Sequence, residues 1–275
     1  MRPPTFALLT LCVAIVTMAS AGWALAATPW NHDPESAIGP AHWGTIDPAF
    51  EACATGTSQS PVNIAGAVRG GGPPLLFSYH EHELVVENTG HVIEVPMPTD
   101  APDTLRVGNT VYTLIQYHFH APSEHTIAGR HFDLELHLVH ESASGGLAVV
   151  GVLMDIGDDP NHVVDVVLEH APAEAGEETE VGVGSNPTDL LPGAGPGRGH
   201  GPAIVGSYFT YSGSLTTPAC SEPVRWFVAK DPVSVSEDAV VEMHERVSDF
   251  PGYEGFPDNN RPVQPRDDRL ITSRG

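Results

Sequence analysis

The sequence predicts one mostly β domain, largely antiparallel, with a few short helices, and three observations predict it. Short alternating or continuous apolar stretches recur along the chain. Gly, Pro, Asn and Asp cluster between them, and helical spacing is confined to two places. No fixed-period repeat and no convincing linker divides the chain, whose 275 residues are ample for one large core.

Taken in order, strands are expected over 84–87, 92–95, 110–120, 133–140, 147–154, 208–211 and 224–228. Thr89-Gly90, Gly108-Asn109 and Gly145-Gly146 supply turns between them. Pro160, after Asp158-Asp159, opens a short helix with Val163, Val166 and Val167 on one side. A second helix runs from Ser236 to about Val247, with Val240, Met243, His244 and Val247 at helical spacing. Residues 171–206 are the least regular stretch. Glu174, Glu177, Glu178 and Glu180 precede a run from Gly193 to Pro202 rich in Gly and Pro. This reads as an irregular, solvated surface excursion, with Asp189-Leu190-Leu191-Pro192 as a small packed island; a cation or partner site is the alternative.

The charge balance narrows the partners. Asp and Glu number 35 against 12 Lys and Arg, a formal charge of −23. That excess argues against nucleic acid, whose phosphates call for cations, and against anionic lipid surfaces. Residues 1–26 read as a secretory signal peptide: Arg2, an apolar stretch from Phe6, and a small-residue site at Ala24-Leu25-Ala26. An uncleaved anchor is the alternative. Cleavage leaves 27–275 as one secreted or periplasmic domain with no stable membrane insertion. It also leaves Cys53 and Cys220 as the mature cysteines, Cys12 lying inside the apolar run. An even pair in an exported protein is most simply a disulfide, with two free thiols as the alternative. Closing so long a loop would constrain the unfolded chain by about 5 kcal/mol on the entropic model.

Histidine is the composition's other departure. The chain has 15, and six of them fall between 118 and 140. In Gln116-Tyr117-His118-Phe119-His120, alternation puts Gln116, His118 and His120 on one strand face and both aromatics on the other. In Glu135-Leu136-His137-Leu138-Val139-His140, it puts Glu135, His137 and Val139 together. If both strands lie in one sheet, His137 converges with His118 and His120. Three imidazoles on a rigid sheet suit Zn(2+) with a fourth position left for water, and the absence of thiolates argues against a closed structural site. Gln116 and Glu135, each two residues before a ligand on its face, are placed to accept an imidazole N–H and fix its tautomer. Histidines on a polar strand face without a metal are the alternative.

With these residues in view, the chain resembles the α-class carbonic anhydrases. The matching pieces are Gly39-Pro40-Ala41-His42-Trp43-Gly44, Gln59-Ser60-Pro61-Val62-Asn63-Ile64, Asn88-Thr89-Gly90-His91 and the two histidine segments. Ser123-Glu124-His125-Thr126, Ser214-Leu215-Thr216-Thr217-Pro218 and Asn260-Arg261-Pro262-Val263-Gln264-Pro265 complete the set. They run in the family's order over about residues 30–270.

The resemblance implies a central ten-stranded, mainly antiparallel twisted sheet with a zinc ion in a conical cleft. It also implies reversible hydration of CO₂ to bicarbonate and a proton by attack of zinc-bound hydroxide. His118, His120 and His137 match the zinc ligands. Thr216 matches the residue that accepts a hydrogen bond from that hydroxide and donates one to Glu124. Val139, Val149, Leu215, Val224 and Trp226 match the apolar substrate pocket, Thr217 a bicarbonate contact, and His91 the proton shuttle. Secreted bacterial members carry a disulfide at positions matching Cys53 and Cys220.

The departures concern proton transfer more than zinc chemistry. His32 stands where the family commonly has Tyr, and Thr89 where a second Asn is common. Ala219 replaces a frequent Pro, and 193–206 reads as an insertion. A non-catalytic binding module is the competing class, disfavoured because the three ligands, Glu124 and Thr216 are all present. Hydrolysis of activated esters is expected only as a minor side activity. The sequence leaves a homodimer open.

Overall fold

The computed structural model describes residues 28–70, 72–193 and 203–275. The expected signal segment, Cys12 and most of the Gly/Pro run at 193–202 therefore lie outside the described residues. Ten strands form a continuous twisted sheet. In chain order they are Val68–Arg69 (β1), His82–Asn88 (β2), Ile93–Pro96 (β3), Thr110–His120 (β4), Leu134–Ser142 (β5), Leu147–Ile156 (β6), Glu178–Ser185 (β7), Tyr208–Gly213 (β8), Val224–Ala229 (β9) and Thr272–Arg274 (β10). Across the sheet they lie in the order β7-β2-β3-β4-β5-β6-β9-β8-β10-β1. Neighbours on this path are antiparallel except β6 with β9 and β10 with β1. Leu75–Ser78, Thr104–Val107, Ala203–Val205 and Val233–Val235 attach beside the path.

Each strand expected from the sequence lies within or against one of these, with ends shifted by a residue or two. The stretch 171–206 is more regular than expected. Its residues 178–185 form the edge strand β7, paired antiparallel with β2, and 203–205 pair with Leu75–Ser78. Mostly exposed residues and three Gly or Ser positions hide that strand from any apolar pattern, because backbone pairing, not burial, holds it. Leu190 and Leu191 are buried, so the packed island is present.

Both expected helices form. His162–Glu169 is capped by the Asn161 side chain and Glu237–Ser248 by Ser236 Oγ, each accepting an otherwise unpaired N–H of the first turn. The first helix buries Val164, Val167 and Leu168; of the expected side only Val167 is fully buried, while Val163 and Val166 are partly covered. Met243 and Val247 of the second pack into the same core. No helix among the described residues is long and apolar enough to cross a membrane.

The two faces of the central strands have different fates. On one face Leu136 and Leu138 of β5, Ala148, Val150 and Val152 of β6, and Tyr117 and Phe119 of β4 enter the main core under the helices. On the other, Val139, Val149, Val224 and Trp226 form a separate apolar cluster. Strand β4 reaches this division through a bulge. Leu114 pairs with His140 but Gln116 with Val139, so Ile115 is an extra residue. The extra residue reverses the side-chain parity. Tyr112 and Leu114 thus share the core face with Tyr117 and Phe119, while Gln116, His118 and His120 turn the other way. Cys53 and Cys220 are joined in a disulfide that closes 167 residues of chain, as expected.

Candidate metal centre and active-site cleft

The register aligns the two histidine segments. His118 of β4 sits directly opposite His137 of β5, and His120 opposite Glu135. One donor nitrogen from each of His118, His120 and His137 lies within 4.8 Å of the other two. The remaining ring nitrogens are each held. His118 Nδ1 is 2.8 Å from Gln116 Oε1, His120 Nδ1 is 2.8 Å from the Asn259 carbonyl, and His137 Nε2 is 3.0 Å from Glu135 Oε1. A hydrogen bond at one imidazole nitrogen fixes the ring and leaves the other nitrogen as a lone-pair donor. His120 Nε2 is buried with no hydrogen-bond partner, the state expected of a nitrogen reserved for a metal. The donor set therefore fits a zinc ion.

Burial dominates the electrostatics. It holds His118 well below the ordinary histidine range, with His120 and His137 adding to the effect, and it lowers His120 as well. Burial also opposes charge on His137, but Glu135 and then Glu124 outweigh it and raise the group. Glu135 itself stays ionised. Burial would raise it, yet His125 and His137 hold it well below the usual carboxylate value. It accepts from the His125 backbone N–H at 2.7 Å and pairs with the His125 ring at 2.7 Å. The far nitrogen of that ring is 2.6 Å from the Tyr211 hydroxyl, which lies 2.8 Å from Ser60 Oγ. Gly151 faces His137 across the β5–β6 pair, and a Cβ there would lie 2.8 Å from Glu135 Oε1. Only glycine leaves room for that carboxylate.

Glu124 is fully buried. Its Oε1 accepts the Arg261 backbone N–H at 2.8 Å. Its Oε2 has no hydrogen-bond partner and lies 3.7 Å from His120 Nε2 and 3.8 Å from His137 Nδ1. The expected bond from Thr216 to Glu124 is thus not formed, although Thr216 is buried. Val139, Val149, Val224 and Trp226 are buried in one cluster, Leu215 packs against it, and Thr217 is partly exposed. The Trp226 ring centroid is 4.8 Å from that of His137, which brings the cluster against the histidine trio.

His91 stacks on Trp30, ring centroids 3.7 Å apart, and burial pushes it down to about 4. His32 is buried, 2.5 Å from the Tyr253 hydroxyl, with its ring centroid 6.4 Å from that of His120. Several functional positions escaped the sequence reading. Asn259, whose carbonyl braces His120, and Arg261 reach the site from more than 130 residues away. Gly151 was one small residue in an apolar strand, a signal that could have been read as close approach. Glu94 sits opposite His118 on the adjacent strand, and burial, then Glu87, pushes its carboxyl up to about 7.

Comparison with known proteins is consistent with this geometry. Residues 38–275 match the family model described as eukaryotic-type carbonic anhydrase. A carbonic anhydrase from Klebsiella pneumoniae is 33% identical over 245 residues, covering 89% of this chain and 91% of the relative. One from Pectobacterium carotovorum is 36% identical over 232 residues, covering 84% and 86%. Among solved structures, the α-carbonic anhydrase of Thermovibrio ammonificans in complex with the inhibitor sulfanilamide superposes with a TM-score of 0.77 at 36% identity. That match covers 89% of this chain and 99% of the other.

Proposed function

Since the chain belongs to the eukaryotic-type carbonic anhydrase family, and is with it an enzyme of reversible CO₂ hydration, we propose that it works through a zinc ion held by His118, His120 and His137. The observation that carries this reading is the arrangement of three imidazoles, each braced at one nitrogen, with their other donors gathered together. Bound there, zinc supplies the Lewis acidity that brings a coordinated water toward neutral ionisation, the behaviour for which carbonic anhydrase is the established example.

The protein's residues do the rest. Gln116, Glu135 and the Asn259 carbonyl hold the imidazoles in the tautomer that presents a lone pair. The Arg261 backbone N–H anchors one oxygen of Glu124, and the other, unpartnered in the structure, is the acceptor to which the Thr216 hydroxyl would turn and donate a hydrogen bond once the zinc site is filled. Thr216 so oriented can only accept from the reacting oxygen, which aims that oxygen at the substrate. Val139, Val149, Leu215, Val224 and Trp226 offer CO₂ an apolar surface free of competing hydrogen bonds, and Thr217 meets the bicarbonate product. His91 carries the product proton toward solvent. Hydrolysis of activated esters is a minor side activity of the same centre.

Stopped-flow CO₂ hydration by the metal-free, zinc-reconstituted and His118→Ala proteins tests this reading. Activity is expected in the reconstituted protein alone. Equal rates with and without zinc would overturn it. Export after removal of residues 1–26 belongs to the same proposal. Intact mass of the exported protein is expected to begin at Ala27, and a retained Met1 would contradict it.

A further inference from the structure

A second cluster of metal-ligating groups lies away from the cleft. His80 occupies the turn leading into β2, His82 begins that strand, and Asp103 directly precedes Thr104–Val107. One donor atom from each of the three lies within 4.8 Å of the other two. This cluster shares no residue with His118, His120 and His137. From these observations we propose that His80, His82 and Asp103 form a second binding site for a first-row divalent cation such as zinc.

Asp103 is the fixed point. Its side chain is wholly buried. Its Oδ1 accepts the His80 backbone N–H at 2.9 Å and lies 2.9 Å from His80 Nδ1. The Asp103 carbonyl accepts from the Leu114 N–H, so main chain holds the residue on both sides. Its Oδ2 faces His82 Nε2 at 3.1 Å. The two atoms are in ion-pair contact, but not in hydrogen-bond geometry, and both are buried with no hydrogen-bond partner. Two polar atoms left facing one another in that way are costly unless a third group satisfies both. A cation does so, because a carboxylate oxygen and an imidazole nitrogen are both ligands for zinc and its neighbours. His80 completes the set from the solvent side. Its side chain is 63% exposed, so an ion has a path in, and water can fill the remaining positions.

An ion held there would tie the turn at His80 to the segment entering Thr104–Val107. The Ser78 and Thr104 register pair already brings these two pieces of chain together. The role is to fasten one edge of the sheet, and it requires nothing of the catalytic cleft.

The test is metal stoichiometry on the untagged full chain, dialysed against micromolar free zinc and read by elemental analysis. Two zinc ions per chain are expected for the unaltered protein, and one for His80→Ala/His82→Ala, whose CO₂ hydration is unchanged. His118→Ala is also expected to hold one, at the edge site. The exposed single variant His80→Ala, which does not threaten folding, is expected to weaken the second ion at least tenfold. One zinc per chain in the unaltered protein, or two retained by His80→Ala/His82→Ala, would overturn the proposal and leave the cluster an ion pair.

Discussion

The protein carries two His-x-His pairs completed by a third group from elsewhere, and they are built to opposite standards. At His118, His120 and His137 every ring is pinned by a side-chain or carbonyl partner, and two strands of one sheet set the spacing. At His80, His82 and Asp103 one group is rigid, one begins a strand, and one is largely in solvent. In both clusters the candidate ligand atoms lie within 4.8 Å of one another. What differs is the second hydrogen bond of each imidazole, and that bond decides whether an ion is merely held or is held in one geometry. Chemistry on a bound water needs the second condition, because orientation that must be found during each turnover costs rate.

The comparison can be broken most severely by removing a ligand. His118→Ala should lower kcat/KM for CO₂ hydration by about a thousandfold or more, with added zinc giving no recovery. Loss of a brace comes next. Gln116→Ala and Glu135→Gln keep all three ligands but should cost about 10–100-fold in zinc affinity or activity, measured by competition with a chelator. Ligands held as tightly without their braces would mean that proximity alone suffices, and the contrast between the clusters would then carry no weight.

Proton export should give a smaller effect. A carrier works best with a pKa near neutrality, and burial pushes His91, stacked on Trp30, down to about 4. In dilute buffer His91→Ala should slow turnover by about tenfold or less, and added imidazole should speed both proteins. Unchanged turnover in dilute buffer would move the role to His32.

The smallest effect concerns stability and pH. Glu94, beside His118, has its folded-state pKa raised to about 7 by burial and then by Glu87. A carboxyl raised on folding binds its proton more tightly in the folded chain. The stability it confers is therefore full below its unfolded value, near 4.5, and is lost as pH rises through 7. Thermal melts of Glu94→Gln and the unaltered protein should nearly coincide at acid pH and separate at pH 8, with the variant higher. A gap independent of pH would contradict the assignment.

What could be read from the sequence follows from which forces are local. Alternation in 116–120 and 135–140 is written into the residues, so the shared faces and the convergence of three histidines were legible. So was the disulfide, since two cysteines leave one pairing. The parity change at Ile115 was not, because a bulge is a property of pairing between two strands and leaves no mark in one of them. Nor was the bracing of His120 by the Asn259 carbonyl, as every residue has a carbonyl and only the fold chooses one. The edge strand Glu178–Ser185 was missed for a related reason: its glycines and glutamates bury little, and the sheet beside it supplies the order. Val163, Val166 and Val167 were grouped on one side of their helix, yet only Val167 of the three is buried, because the covered face is set by what lies beneath it.

The most direct measurement titrates zinc into the metal-free protein while following bound metal and CO₂ hydration together. Activity should rise in proportion to the first equivalent and reach its full value there, with a second equivalent binding silently. Hydration without zinc, or hydration that appears only as the second equivalent binds, would contradict the assignment of catalysis to His118, His120 and His137.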